Sequence, residues 1–544
     1  MNLPIRQESH YPGILVLLVS NPMRFFPQLL FSSWLRARRA AIVVGLAILL
    51  IWVFPVAALA QTIRPETDIQ PYIDRVANQI SEFRLSNGMK FIVMERHQSP
   101  TVSFMTYVDV GSAHELPGKT GAAHFLEHLA FKGTTRIGSR NYEAEQPLLD
   151  RLDALFSQIQ TAQTAGDSEQ AAKLQQAFDQ LKAEAASYVN QNEYGQIVER
   201  SGGIGLNATT SADATRYFYS FPANKLELWM SLESERFLEP VFREFYEEKD
   251  VILEERRMRT DNSPIGKLVE AFLETALPNH PYGRPVIGYE SDLRNLTTDD
   301  IRQLFSSYYT PDRIIVGIVG DVNPTQVKQL AEAYFGRFQA ATTRAEDITI
   351  NPPSQTEPRE VVVNLPSEPW YMEGYQRPSV ADPDDAVYQM ISSLLSGGRT
   401  ARLYRTLVEQ QQIALNVNVA STFPGNRYSN LVLLYAQTAP GHTIDEVAAA
   451  IATELNRLKT EPVSFEELDR VQTQARAGLL QTLASNQGMA SLLPEYEAKT
   501  GSWRNLFEEL TAIEAVTAED VQRVANELFQ PQNQTIGKLM AVGG

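Results

Sequence analysis

Apolar positions along this chain recur with two different periods, and each predicts its own elements. Segments 83–96 (FRLSNGMKFIVMER) and 101–112 (TVSFMTYVDVGS) predict strands, the first folded back at Asn87-Gly88. Segment 202–221 (GGIGLNATTSADATRYFYSF) starts with glycine and continues with alternating β-branched and aromatic residues, which predicts strands near a sheet edge. Between residues 142 and 195 the period becomes helical. Leu148, Leu152, Leu155, Phe156 and Ile159 form one stripe, Leu174, Phe178 and Leu181 another, and TAGDSEQ between them supplies a turn and a helix cap. This predicts an antiparallel helical hairpin inserted into a domain, a spacer or a partner-binding element. A further helix is expected at 245–259 (FYEEKDVILEERRMR).

An internal repeat sets the architecture. LTTDDIRQLFSSYYTPDR (296–313) matches VTAEDVQRVANELFQPQN (516–533) at an offset of 220 residues. In each copy a threonine, Thr297 or Thr517, caps a helix, and a proline, Pro311 or Pro531, stops it before the strands IIVGIVGDV and QTIGKLMAV. The expected fold is α+β, made of two homologous halves at 79–338 and 361–544. Each half is an antiparallel-rich sheet with helices packed on it, and a polar, proline-rich linker at 339–360 joins them.

Residues 1–60 differ from the rest. Arg36, Arg38 and Arg39 precede the apolar run AAIVVGLAILLIWVFPVAALA, which ends in small residues before Gln61. That pattern predicts an export signal or an uncleaved membrane anchor, with translation starting at Met1 or Met23 and a linker at 61–78. Either way the remainder is expected outside the cytoplasm, in the periplasm or an equivalent compartment.

Composition narrows the chemistry. Of 544 residues 43% are hydrophobic and 21% charged, which suits a globular protein of several domains. With 48 basic and 65 acidic residues the net charge is −17, and no basic block in the folded region recommends nucleic acid or anionic lipid. The absence of cysteine excludes disulfides and thiolate metal sites, so a zinc site here must use histidine and carboxylate.

Such a set stands in GAAHFLEHLAF (121–131). On a helix His124, Glu127 and His128 share one face while Phe125, Leu126 and Leu129 turn inward. Two imidazoles one turn apart suit zinc, and the carboxylate between them suits a base acting on water acidified by the metal. A polar strip on a half-exposed helix is the alternative.

These pieces resemble the pitrilysin-like zinc metallopeptidases, whose motif is H-x-x-E-H. The resemblance runs from residue 80 to 544, the hairpin excepted. It includes GGIGLNATTS (202–211), EKDVILEE (248–255), HPYGRPVIG (280–288), YYTPDRIIVGIVGDV (308–322) and SGGRTARLYRTL (396–407). It implies one Zn²⁺ held by His124, His128 and Glu255, with Glu254 as runner-up to Glu255. It also implies Glu127 as the group that activates water and Glu248 as an assisting catalytic glutamate near the metal. Peptide or unfolded protein would be enclosed in a chamber between the halves and bound as an added strand along GLNATT, at Asn207, Ala208 and Thr209. His280 is a weaker candidate for substrate contact, and His97, His114 and His442 weaker still.

One departure bears on partners. Complete members of that family carry an arginine and a tyrosine seven residues apart that stabilise the oxyanion, and the matching positions here are Val408 and Leu415. Arg402 and Arg405 lie close by, but neither is followed at that spacing by tyrosine. Losing an oxyanion donor costs on the order of 10²–10³ in rate. The resemblance therefore implies the zinc-bearing subunit of a heterodimer, its related partner supplying both residues. A non-catalytic subunit that keeps the zinc site and a self-sufficient homodimeric peptidase are the alternatives.

Overall fold

The strands anticipated from the alternating segments assemble into two sheets built on one plan. The computed structural model describes residues 70–340, 345, 348 and 351–541. The first sheet holds β1 (Ile80–Arg84), β2 (Lys90–Glu95), β3 (Thr101–Val108), β4 (Ile204–Thr210), β5 (Thr215–Pro222) and β6 (Ile314–Gly320), in the order β1-β2-β6-β3-β5-β4. The second holds β7 (Arg359–Leu365), β8 (Trp370–Arg377), β9 (Ala414–Phe423), β10 (Asn430–Thr438) and β11 (Gln534–Ala541), in the order β7-β11-β8-β10-β9.

Without β1 the two orders coincide. β2 runs parallel to β6 as β7 does to β11, and the other neighbours are antiparallel in both sheets. The repeat extends to individual hydrogen bonds. Thr297 and Asp300 form a reciprocal capping box at the start of one helix, and Thr517 and Asp520 form its counterpart. The chain is thus an α+β protein of two homologous halves.

The halves exchange helices. Helix Pro264–Ala276, which precedes the linker, packs on β7 and β11 of the second sheet, while helix Asn486–Thr500 packs on β3 and β6 of the first. Phe272 and Leu268 lie over Gly537, and Ala490 and Pro494 over Gly317, so each central strand is bare where the foreign helix crosses it. Ion pairs reinforce the exchange: Lys90 to Glu497 at 2.6 Å, Arg216 to Glu495 at 3.3 Å and Arg427 to Asp109 at 2.7 Å. The described residues from 79 onward accordingly form one compact unit.

The predicted hairpin consists of helices Tyr142–Thr164 and Ser168–Ala186, the second capped by Asp167, which accepts from the Gln170 amide. It braces the domain. Phe156 and Phe178 pack against Tyr246 with ring centroids 5.1 and 4.8 Å away, and the Tyr246 hydroxyl donates to Asp153. Fully buried Glu145 pairs with fully buried Arg243, which also donates to the carbonyls of Lys132, Thr134 and Ile137.

Residues 70–77, within the stretch expected to be a linker, form a short helix. The predicted export segment, residues 1–60, lies outside the described residues. Among the described residues no helix is long and apolar enough to cross a membrane.

Candidate metal centre

Helix Ala122–Leu129 buries Phe125, Leu126 and Leu129 in the first core. Its first turn is held by Glu115, whose carboxylate accepts from the Gly121 amide at 3.0 Å and the Ala123 amide at 2.8 Å. Helix Phe245–Arg256 crosses it, with Phe125 and Phe245 stacked at 4.6 Å. That crossing brings Glu248 and Glu255 onto the polar face of the first helix.

His124 Nε2 lies 3.8 Å from Glu255 Oε1 and His128 Nε2 lies 3.5 Å from Glu255 Oε2. One ligand atom from each of these three buried residues falls within 4.8 Å of the other two, a group that could hold a metal ion. Glu254 is excluded from it: its side chain is half exposed and pairs with Arg257. One atom of the group, Glu255 Oε2, is buried without any hydrogen-bond partner. Leaving a buried polar atom unpaired costs about 1–3 kcal/mol. A divalent ion bound by two imidazoles and a carboxylate is a donor set that suits zinc.

The surrounding charges prepare these ligands. Burial, then the neighbouring His128 and Arg259 charges, hold His124 well below the usual histidine range, so it is a neutral imidazole. His128 behaves oppositely. Burial disfavours its charge, but Nδ1–H donates to Glu248 Oε2 at 3.0 Å, and this bond with the charges of Glu127, Glu248 and Glu255 raises it. Glu248 is itself gripped by Lys132 at 2.5 Å, and the bonds to His128 and Lys132 outweigh burial to lower its carboxyl. A carboxylate that fixes a ring nitrogen in this way orients the other nitrogen toward a metal. Glu127 accepts from the Thr210 hydroxyl at 2.5 Å. Burial raises its carboxyl against that hydrogen bond, which moves it toward the range of a general base.

Thr210 ends β4, which pairs with β5 on one side only. Asn207, Ala208 and Thr209 therefore stand on an edge strand that leads directly to Glu127. Ala208 is buried, and the Asn207 side chain accepts from the Ala208 amide. Val408 lies in the turn Tyr404–Gln410 against the second core. Leu415 lies on β9, the edge strand that corresponds to β4, with about half its surface exposed. Arg402 pairs with Glu467 at 2.8 Å inside the second half, and Arg405 is exposed. His280 accepts from the Tyr282 amide through Nδ1 and is buried in its turn. His97 bridges Glu95 and Asp321. Neither of these histidines, nor His114 or His442, belongs to the cluster.

The sequence matches the family described as Insulinase (Peptidase family M16) over residues 90–181 and 178–290, and Peptidase M16 inactive domain over 295–475. The chain belongs to the M16 peptidase family. The two matched segments of the first half meet at residues 178–181, inside the second hairpin helix. Relatives include the zinc protease PqqE of Helicobacter pylori, 29% identical over 83% of this chain and 90% of that protein. A probable mitochondrial-processing peptidase subunit beta of Schizosaccharomyces pombe is 25% identical over 85% and 91%. Among solved structures, a protease from Helicobacter pylori superposes with a TM-score of 0.72 at 27% identity, covering 85% of this chain and 99% of that one. The periplasmic protease PqqL from Escherichia coli shares the fold with a TM-score of 0.63 at 18% identity, over 86% of this chain and 48% of its own.

Four residues of the site were not singled out from sequence: Glu115, Lys132, Thr210 and Arg259. Two carried a readable signal, since Lys132 follows His128 and Arg259 follows Glu255 by one helical turn. Thr210 lies inside the quoted GGIGLNATTS motif. Nothing local marks Glu115, which acts across a loop.

Proposed function

We propose that this chain is an exported zinc endopeptidase that cleaves peptides or unfolded segments, and that it works as the zinc-bearing subunit of a pair. The observation that carries the reading is the convergence of His124, His128 and Glu255 beside a half-buried Glu127. His124, His128 and Glu255 would hold the ion through imidazole and carboxylate. When bound, zinc supplies a Lewis acid that polarises the scissile carbonyl and lowers the pKa of water to about 7. Glu127 takes the proton of the attacking water and passes it to the leaving amine. Thr210 holds Glu127 in place, and Glu248 holds His128 through Nδ1. Substrate lies as an added strand along Asn207, Ala208 and Thr209, where main-chain pairing tolerates many sequences.

The Val408 and Leu415 side chains donate no hydrogen bond, so the oxyanion donors come from a related chain. The test is cleavage of a mixed peptide library by the purified, zinc-loaded chain, with Glu127→Gln as control. Silence alone and Glu127-dependent cleavage on adding a related chain bearing arginine and tyrosine is expected. Robust cleavage by the chain alone overturns the need for a partner. Activity unchanged in Glu127→Gln overturns the peptidase mechanism.

A further inference from the structure

Arg259 reaches into the cluster: its Nη1 lies 2.5 Å from Glu255 Oε1. Its position is set by a π-helical turn, Arg257–Asp261, in which the Asn262 amide donates to the Arg257 carbonyl. Gly266 on the exchanged helix Pro264–Ala276 permits that turn, because a Cβ there would stand 2.1 Å from the Arg259 carbonyl oxygen. The guanidinium is thus carried on a turn packed against an exchanged helix.

The carboxylate it touches faces a choice. Oε1 is the oxygen nearer His124 and Oε2 the one nearer His128, so Glu255 straddles the two imidazoles and is placed to grip a metal with both oxygens. A second protein oxygen would fill a position that a catalytic metal keeps open. The two oxygens are not equivalent, however: Oε1 is taken by Arg259 while Oε2 is buried without a hydrogen-bond partner. We infer that Arg259 is a positioning residue that engages Glu255 Oε1 so that Oε2 alone is offered to the metal. This rests on the metal-centre reading above. A guanidinium close to a divalent cation repels it, so this pairing lowers metal affinity and acts on coordination geometry.

The test loads the full chain with Co²⁺ in place of zinc, as wild type, R259A and R259K, and reads visible absorption and competition with a chelator. The Arg259 side chain is about one-third exposed, so its removal leaves no core cavity. R259K is expected to keep the wild-type spectrum. R259A is expected to bind one equivalent at least as tightly, with ligand-field bands weakened about twofold as the coordination number rises. A spectrum of R259A identical to wild type overturns the inference, as does a loss of metal affinity in R259A beyond about tenfold, which marks a role in building the site. Wild-type protein that takes up no Co²⁺ overturns the metal centre itself, and the role of Arg259 with it.

Discussion

Gly317 and Gly537 occupy the same place on the two sheets, 220 residues apart, and each lies beneath a helix contributed by the other half. A Cβ at Gly317 would lie 2.4 Å from the Ala490 carbonyl oxygen, whereas one at Gly537 would lie 3.0 Å from the Phe272 ring. Backbone yields less readily than a side chain. Gly317→Ala should therefore destabilise by about 1–3 kcal/mol and Gly537→Ala by less. Thermal unfolding checks this, and equal small effects would remove the exchanged helices as a tight constraint.

Loss of Glu248 should be felt at the metal rather than in the fold. Glu248→Gln keeps the shape but gives up the charge that His128 and Lys132 share, so zinc affinity should fall by about 10–100-fold. Competition with a chelator measures it, and the melting temperature of the metal-free protein should change little.

Thr210 should matter to turnover without mattering to zinc. Its hydroxyl donates to half-buried Glu127, and a hydrogen bond to a charged group contributes about 1.5–3 kcal/mol, so Thr210→Val should slow cleavage by about 10–100-fold. Zinc stoichiometry should stay at one, and a loss of zinc would move Thr210 from positioning the base to building the site.

His114 makes stability depend on pH. Burial first, then the charges of Arg313 and Arg427, lower its pKa to about 4, and the neutral ring accepts from the Gly111 amide. Between pH 6.5 and 4 the unfolded chain binds a proton that the fold refuses, so stability falls as pH falls through that window. The shift from 6.5 to about 4 corresponds to at most about 3 kcal/mol. Denaturant unfolding of wild type and His114→Gln at pH 7.5 and 5 should show a smaller loss in the variant.

Much of this protein was legible in order along the chain, because its signals are local. His124 and His128 share a helix one turn apart, capping threonines precede their helices, and the 220-residue repeat is a comparison of sequence with itself. What spacing alone could not separate was Glu254 from Glu255, which only the family resemblance ranked in favour of Glu255. Both are acidic neighbours on one helix, and only the crossing of that helix over Ala122–Leu129 turns Glu255 to the histidines and leaves Glu254 half exposed. The hairpin was likewise readable as two amphipathic helices, but its seat against Tyr246 and Arg243 depends on surfaces far apart in the chain.

By itself the sequence determined the periodicities, the caps and the spacing of the donor groups, which follow from relations between residues within a few turns of one another, and the duplication, which is a comparison of the sequence with itself. The tertiary structure decided which glutamate meets the histidines, that each sheet is roofed by the other half's helix, and that Glu115, Thr210 and Arg259 reach the helix start, Glu127 and Glu255 respectively. Those outcomes depend on how buried surfaces from distant segments pack, which no local pattern encodes.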